Sequence, residues 1–71
     1  MRGIFIRAVG SKEKLEVIYL SADGMISQRV IKVIAMSDVS IKAYCYTRRQ
    51  FRTFKINNIL SACPYRKRVG A

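Results

Sequence analysis

Basic and aromatic side chains alternate through residues 42–56, where five bases (Lys42, Arg48, Arg49, Arg52, Lys55) and four rings (Tyr44, Tyr46, Phe51, Phe54) fall within fifteen residues. Cationic groups neutralise phosphates and aromatic faces stack on bases at ~1–3 kcal/mol per base, so this composition suits a single-stranded nucleic acid. Read as a hairpin, the segment puts Lys42, Tyr44 and Tyr46 on one face of its first strand. On the return strand Arg52, Phe54 and Ile56 share a face, Phe51, Thr53 and Lys55 share the other, and Arg48 and Arg49 occupy the tip. Each residue also has a plainer reading. Phe54 and at least one tyrosine suit a core, because so short a chain has few large side chains to spare. Tyr44 and Tyr46 fit either role, since their hydroxyls permit an exposed edge. Arg48 and Arg49 also fit a solvated turn. Arg52, inside a strand beside Phe54, either pairs with a carboxylate such as Asp23 or Asp38 or awaits an anion.

The charge balance favours an anionic partner. Fourteen Lys and Arg face four Asp and Glu, a formal net charge of +10. All four acids (Glu13, Glu16, Asp23, Asp38) precede Val39, and residues 39–71 carry eight bases and no acid. Such a field draws polyanions and speeds their encounter. Solubility alone also favours a high net charge in a small domain, but it does not require the acids to sit in one half.

Catalytic chemistry finds little support. There is no histidine, so neither a His-based triad nor a His metal site can be built. The carboxylates stand in no motif, and Gly3, Gly10, Gly24 and Gly70 are too scattered for a phosphate-cradling loop. Cys45 and Cys63 lack the paired spacing of a zinc site and read as free thiols within a core. The expectation is a chain that is not an enzyme and takes no cofactor or metal. Arg7 interrupts the N-terminal apolar run, so no signal peptide is read, and no stretch approaches the ~20 apolar residues of a membrane span. A cytoplasmic location is expected.

Seventy-one residues with 51% hydrophobic content suit one folded domain. Strands are expected over 3–9, 15–20, 25–36, 39–46 and 51–56, rich in β-branched and aromatic residues. Turns fall at 10–14, at Asp23-Gly24, at Ser37-Asp38 and at 47–50. Ile26, Val30, Val33 and Ile34 would also fit a helical stripe, but their Ile and Val neighbours favour a strand. Along 39–46 the alternation puts Val39, Ile41, Ala43 and Cys45 on one face. A short helical turn is expected at 57–61, stopped by Cys63-Pro64, with a basic tail over 64–71. The fold class is thus mainly all-β, and five short strands suggest a small closed or nearly closed barrel that hides its sheet edges.

Residues 17–61 resemble the WYL domain, a small β module of bacterial transcription regulators and some nucleic-acid enzymes. The resemblance runs from Ile18-Tyr19 through Asp23-Gly24 and Arg29 to Ala43-Tyr44-Cys45, Arg48, Arg52-Thr53-Phe54 and Ile59-Leu60-Ser61. The name-giving Trp-Tyr-Leu would fall at Val39-Ser40-Ile41, and an Asp-Arg-Ile of the family reads Asn57-Asn58-Ile59. No helix-turn-helix segment is read ahead of the match, so the chain is expected to be a stand-alone copy. The resemblance implies an Sm-like or SH3-like barrel that senses a negatively charged ligand, nucleic acid or nucleotide. It carries over Tyr19, Arg29, Tyr44, Arg48, Arg52 and Phe54 as ligand-binding candidates. Arg29, Arg48 and Arg52 would supply charge, and Tyr19 and Phe54 would shape a pocket from the core. Charge and hairpin geometry add Lys42 and Arg49 as backbone contacts. The expected function is a non-enzymatic regulatory module that binds single-stranded DNA or RNA, or a nucleotide-type anion. The alternative is a protein-interaction subunit that docks on an acidic surface of a larger regulator or self-associates through its edge strands.

Overall fold

The computed structural model describes residues 2–65. Helix α1 (Arg2–Ala8) is followed by strands β1 (Leu15–Leu20), β2 (Ile26–Met36), β3 (Ser40–Cys45) and β4 (Gln50–Lys55), a 3-10 turn at Ile56–Asn58, and strand β5 (Ile59–Pro64). All five strands pair antiparallel in one sheet of order β4-β3-β2-β1-β5, so the mainly β expectation holds.

The strand expected over 3–9 is instead α1. A continuous apolar run fits either element, and the side of the molecule that it must cover decides. Phe5 and Ala8, three apart, are buried at 0% and 2% exposure, while Ile6 stays 60% exposed. Helical spacing closes one end of the sheet with a single apolar face, where strand alternation would have set Phe5 against Ile4 and Ile6. Gly10 follows at φ +79°, a left-handed conformation that ends a helix at little steric cost.

At the other end, the helical turn expected at 57–61 occupies Ile56–Asn58, and Ile59 onward forms β5 against β1. The element that ends at Pro64 is this strand and not the helical turn; Pro64 closes the ladder opposite Leu15 on an edge strand, where its missing N–H costs nothing. The tail expected over 64–71 therefore starts inside a strand, and the Tyr65 N–H donates to the Lys14 carbonyl at 2.9 Å. Residues 66–71 of that tail lie outside the described residues.

The sheet rolls onto itself. In a flat sheet three strand spacings, ~14 Å, would separate β1 from β4. Yet the Tyr19 ring of β1 meets the Phe54 ring of β4 edge-on, with centroids 5.0 Å apart. The Lys55 N–H also donates to the Tyr19 hydroxyl at 3.5 Å. Ile34 is an extra residue in the β2–β3 ladder, where the register shifts between Val33 and Ala35 and sharpens the bend. The ladder ends at β4 on one side and β5 on the other, and the 3-10 turn carries the chain between these two edges.

Inside lie Leu15, Val17, Ile31, Val33, Ile41, Ala43, Cys45, Phe54 and Ile59, with Phe5 and Ala8 of α1. The alternation read along β3 holds for Ile41, Ala43 and Cys45, but Val39 precedes the strand and is 72% exposed. Cys45 is a core thiol, whereas Cys63 is exposed, contrary to the expectation for both.

The β1–β2 hairpin is tied by a local network. The Ser21 hydroxyl and the Met25 N–H (3.3 Å) both donate to the Asp23 carboxylate, and the Ser21 N–H donates to the Met25 carbonyl at 2.9 Å. The Ser21 hydrogen bond and then the Met25 amide hold the Asp23 carboxyl below its ordinary value of 3.8. A depressed folded value means that the carboxylate's contribution is present at neutral pH and lost as pH falls from 3.8 through the folded value. The Met25 amide shift should accordingly titrate with a midpoint below 3.8, and Asp23→Asn should flatten that titration.

Candidate anion-binding site

β2 alternates, and its inner face carries Arg29 in line with Ile31 and Val33. Placed opposite Val17 in the β1 ladder, Arg29 is only 7% exposed, the one charged residue buried among the described residues. Its Nε donates to the Ser27 hydroxyl at 3.0 Å, two residues back on the same face. One terminal nitrogen, Nη1, is buried with no hydrogen-bond partner among the described residues. A buried guanidinium donor without an acceptor is costly, ~1–3 kcal/mol or more for a charged group, and native structures keep few of them.

Around Arg29 opens a cleft of about 550 Å³, at the end of the barrel where the β1–β2 hairpin faces the β3–β4 turn. Ser21, Asp23 and Ser27 line it from the hairpin, Arg48 from the turn and Arg52 from β4. Arg52 points inward because it pairs with buried Ala43 and alternates with buried Phe54, but it stands beyond the filled core and is exposed. The Asp23 carboxylate is engaged by the Ser21 hydroxyl and the Met25 N–H of its own hairpin. Three guanidinium groups and one hydrogen-bonded carboxylate leave the cleft net positive. Planar guanidinium forks match the oxygens of phosphate or carboxylate in pairs, so the arrangement can hold such an anion.

The eight sequence candidates separate. Arg29, Arg48 and Arg52 converge on the cleft. Tyr19, half-buried and opposite Ser27, shapes the interior beneath it through its contact with Phe54. Phe54 is core at 1% exposure and reaches no ligand surface. Lys42 and Tyr44 lie on the outer face of the sheet, away from the cleft, because β3 turns Ile41, Ala43 and Cys45 inward. Arg49 is exposed in the β3–β4 turn at φ +55° and does not line the cleft. Sequence reasoning missed Ser27 as the partner of Arg29, and took Asp23 for a turn residue and a possible ion-pair partner of Arg52. The signal for Ser27 was its two-residue spacing from Arg29 on one strand face.

Among the described residues no three His, Cys, Asp or Glu side chains gather as a metal site would require. No described helix is long and apolar enough to cross a membrane. No protein-family model matches the sequence, and no curated protein sequence matches it. Among solved structures the chain is similar to proteasome accessory factor B/C (PafBC) of Arthrobacter aurescens, with a TM-score of 0.78 and 18% sequence identity. The match covers 97% of this chain and 12% of that longer one. At this identity the likeness is one of fold, a WYL-like fold for this chain.

Proposed function

We propose that the chain is a non-enzymatic, ligand-binding regulatory module whose Arg29–Arg48–Arg52 cleft holds successive phosphates of a nucleotide or of single-stranded nucleic acid, one at each guanidinium. The observation that carries this reading is the buried, unpartnered Nη1 of Arg29, a residue that lines a net-positive cleft. A bound phosphate oxygen satisfies that donor and removes its desolvation cost, while Arg48 and Arg52 take the neighbouring phosphates from the rim. The acid-free basic half of the chain gathers polyanions toward the site. The WYL-like fold is compatible with a regulatory role.

Fluorescence anisotropy with labelled single-stranded DNA and RNA across a salt series tests the proposal. Three phosphate contacts give a log–log salt slope of about −2, so affinity should fall roughly twentyfold between 50 and 200 mM salt. Arg52→Ala, at an exposed position, should stay folded and lose binding together with about one-third of that slope. Affinity that is flat with salt, or equal in Arg52→Ala and the parent, rejects the cleft as the site. The second reading, docking on an acidic surface of a larger regulator, draws on the fact that the similar fold in PafBC is 12% of a longer chain. A protein partner recovered after nuclease treatment, and lost in Arg52→Ala, would favour it.

A further inference from the structure

Opposite the cleft, the outer face of the sheet carries an aromatic row with lysines around it. The ladder registers Lys32 with Tyr44 and Tyr44 with Phe51, so the three side chains cross β2, β3 and β4 side by side. Tyr46 follows Tyr44 on the same side, its N–H donating to the Val30 carbonyl at 2.8 Å. Tyr44 is the hub: Tyr46 and Phe51 each pack edge-to-face against it with centroids 5.0 Å away. The outer two rings stay open, Phe51 at 72% exposure and Tyr46 at 37%. Lys14 Nζ stands 4.4 Å from the Tyr46 ring centre. Lys42 and Lys55 project from the same face, and a groove of about 260 Å³ beside Phe51 runs between Ile34, Lys42 and Thr53.

We infer that this face is a second binding surface, a stacking platform for the bases of single-stranded nucleic acid, with its lysines on the phosphates. Phe51 packs on Tyr44 across the β3–β4 ladder yet leaves most of its surface in water, and three rings braced against one another form a rigid support at little entropic cost. The choice of partner follows from the charges. No acid lies in β2, β3 or β4, Glu16 of β1 stands on the outer face opposite Val30, and the cations beside the rings are Lys14, Lys32, Lys42 and Lys55. Lysine is depleted in protein–protein interfaces, whereas rings interleaved with cations are the pattern that holds single strands without regard to sequence. The groove beside Phe51 shares Arg52 with the cleft, but the three rings and the lysines of this face do not line the cleft. Phe51 and Arg52 are consecutive on β4 and so point to opposite faces, which lets a single strand pass round the free β4 edge from one site to the other.

The test is a nuclear magnetic resonance titration of the full chain with (dT)8, with anisotropy measured in parallel for the parent, Phe51→Ala, Phe51→Trp and Arg52→Ala. Ring resonances of Tyr44, Tyr46 and Phe51 should shift on binding. Phe51→Ala should weaken (dT)8 about tenfold, as loss of one stacked base requires, and Phe51→Trp should restore it. A dinucleotide too short to span both faces should still bind Phe51→Ala as tightly as the parent if it uses the cleft. Shifts confined to the cleft arginines, or unchanged (dT)8 affinity in Phe51→Ala, overturn the platform and leave the cleft intact. A concentration-dependent dimer by sedimentation that Phe51→Ala abolishes would also overturn it, by assigning the face to a second copy.

Discussion

Arg29→Met should be more stable than the parent and should no longer bind nucleotide or single-stranded nucleic acid. In the free protein Arg29 sits at 7% exposure with Ser27 as the partner of Nε and none for Nη1 among the described residues. Removing an unsatisfied buried donor recovers ~1–2 kcal/mol of desolvation cost, and an unbranched thioether of similar length fills the space. Buried charges replaced by apolar groups of like volume often stabilise in this way. For a domain of this size ~1–2 kcal/mol corresponds to a rise in Tm of roughly 5–15 °C. Binding should weaken by ~30-fold or more, the scale for truncating one partner of a buried charged contact. Thermal melts with and without a mononucleotide read both effects. The parent gains Tm with ligand by mass action, and the variant starts higher and gains nothing. A variant that melts below the parent would make Arg29 a structural strut and leave the proposed function without its main support.

Phe54→Ala should remove roughly half or more of the stability of the domain. Phe54 is 1% exposed and forms the contact with Tyr19 that holds β4 against β1 across the rolled sheet. Emptying a buried phenylalanine site costs ~3–5 kcal/mol. A chain of 71 residues has a total stability of only about 4–10 kcal/mol at the usual figure per residue. Circular dichroism under urea should show the midpoint fall sharply, whereas Phe51→Ala, at a residue 72% exposed three positions earlier on β4, should leave it nearly unchanged. Binding lost in Phe54→Ala is then loss of the fold, and this residue drops out as a ligand contact. A variant that keeps its midpoint would mean that the β1–β4 contact does not close the barrel.

Much of the architecture is legible in residue types alone. Strands β1 to β4 and the turns between them follow from β-branched runs punctuated by Asp23-Gly24 and Ser37-Asp38, and the period-two pattern of Ile41, Ala43 and Cys45 marks the inner face of β3. The membership of the five is not legible. Ile4-Phe5-Ile6 carries strand propensity, but the open end of the sheet needs a cap with one apolar stripe, and α1 supplies Phe5 and Ala8. Ile59–Pro64 looks like the approach to a stop, but β1 has a free edge, and five residue pairs formed there outweigh the local signal of Pro64.

The functional reading divides in the same way. Composition by itself determined that the partner is expected to be anionic: the charge is +10, histidine is absent, and the basic half has no acid. It also marked residues 42–56 as the region where cations and rings meet. Only the tertiary structure decided that these residues make two surfaces and not one. Alternation sends Arg52 inward and Phe51 outward, and the rolling of the sheet then brings Arg52 and Arg48 to Arg29, from another strand. Burial of Arg29 was the hardest feature to foresee, because an arginine between Gln28 and Val30 reads as a solvated strand residue. Local propensity carries no information on which strand will lie across the barrel. Desolvation of a charge depends on that distant neighbour, so the site exists only once the sheet has closed over it.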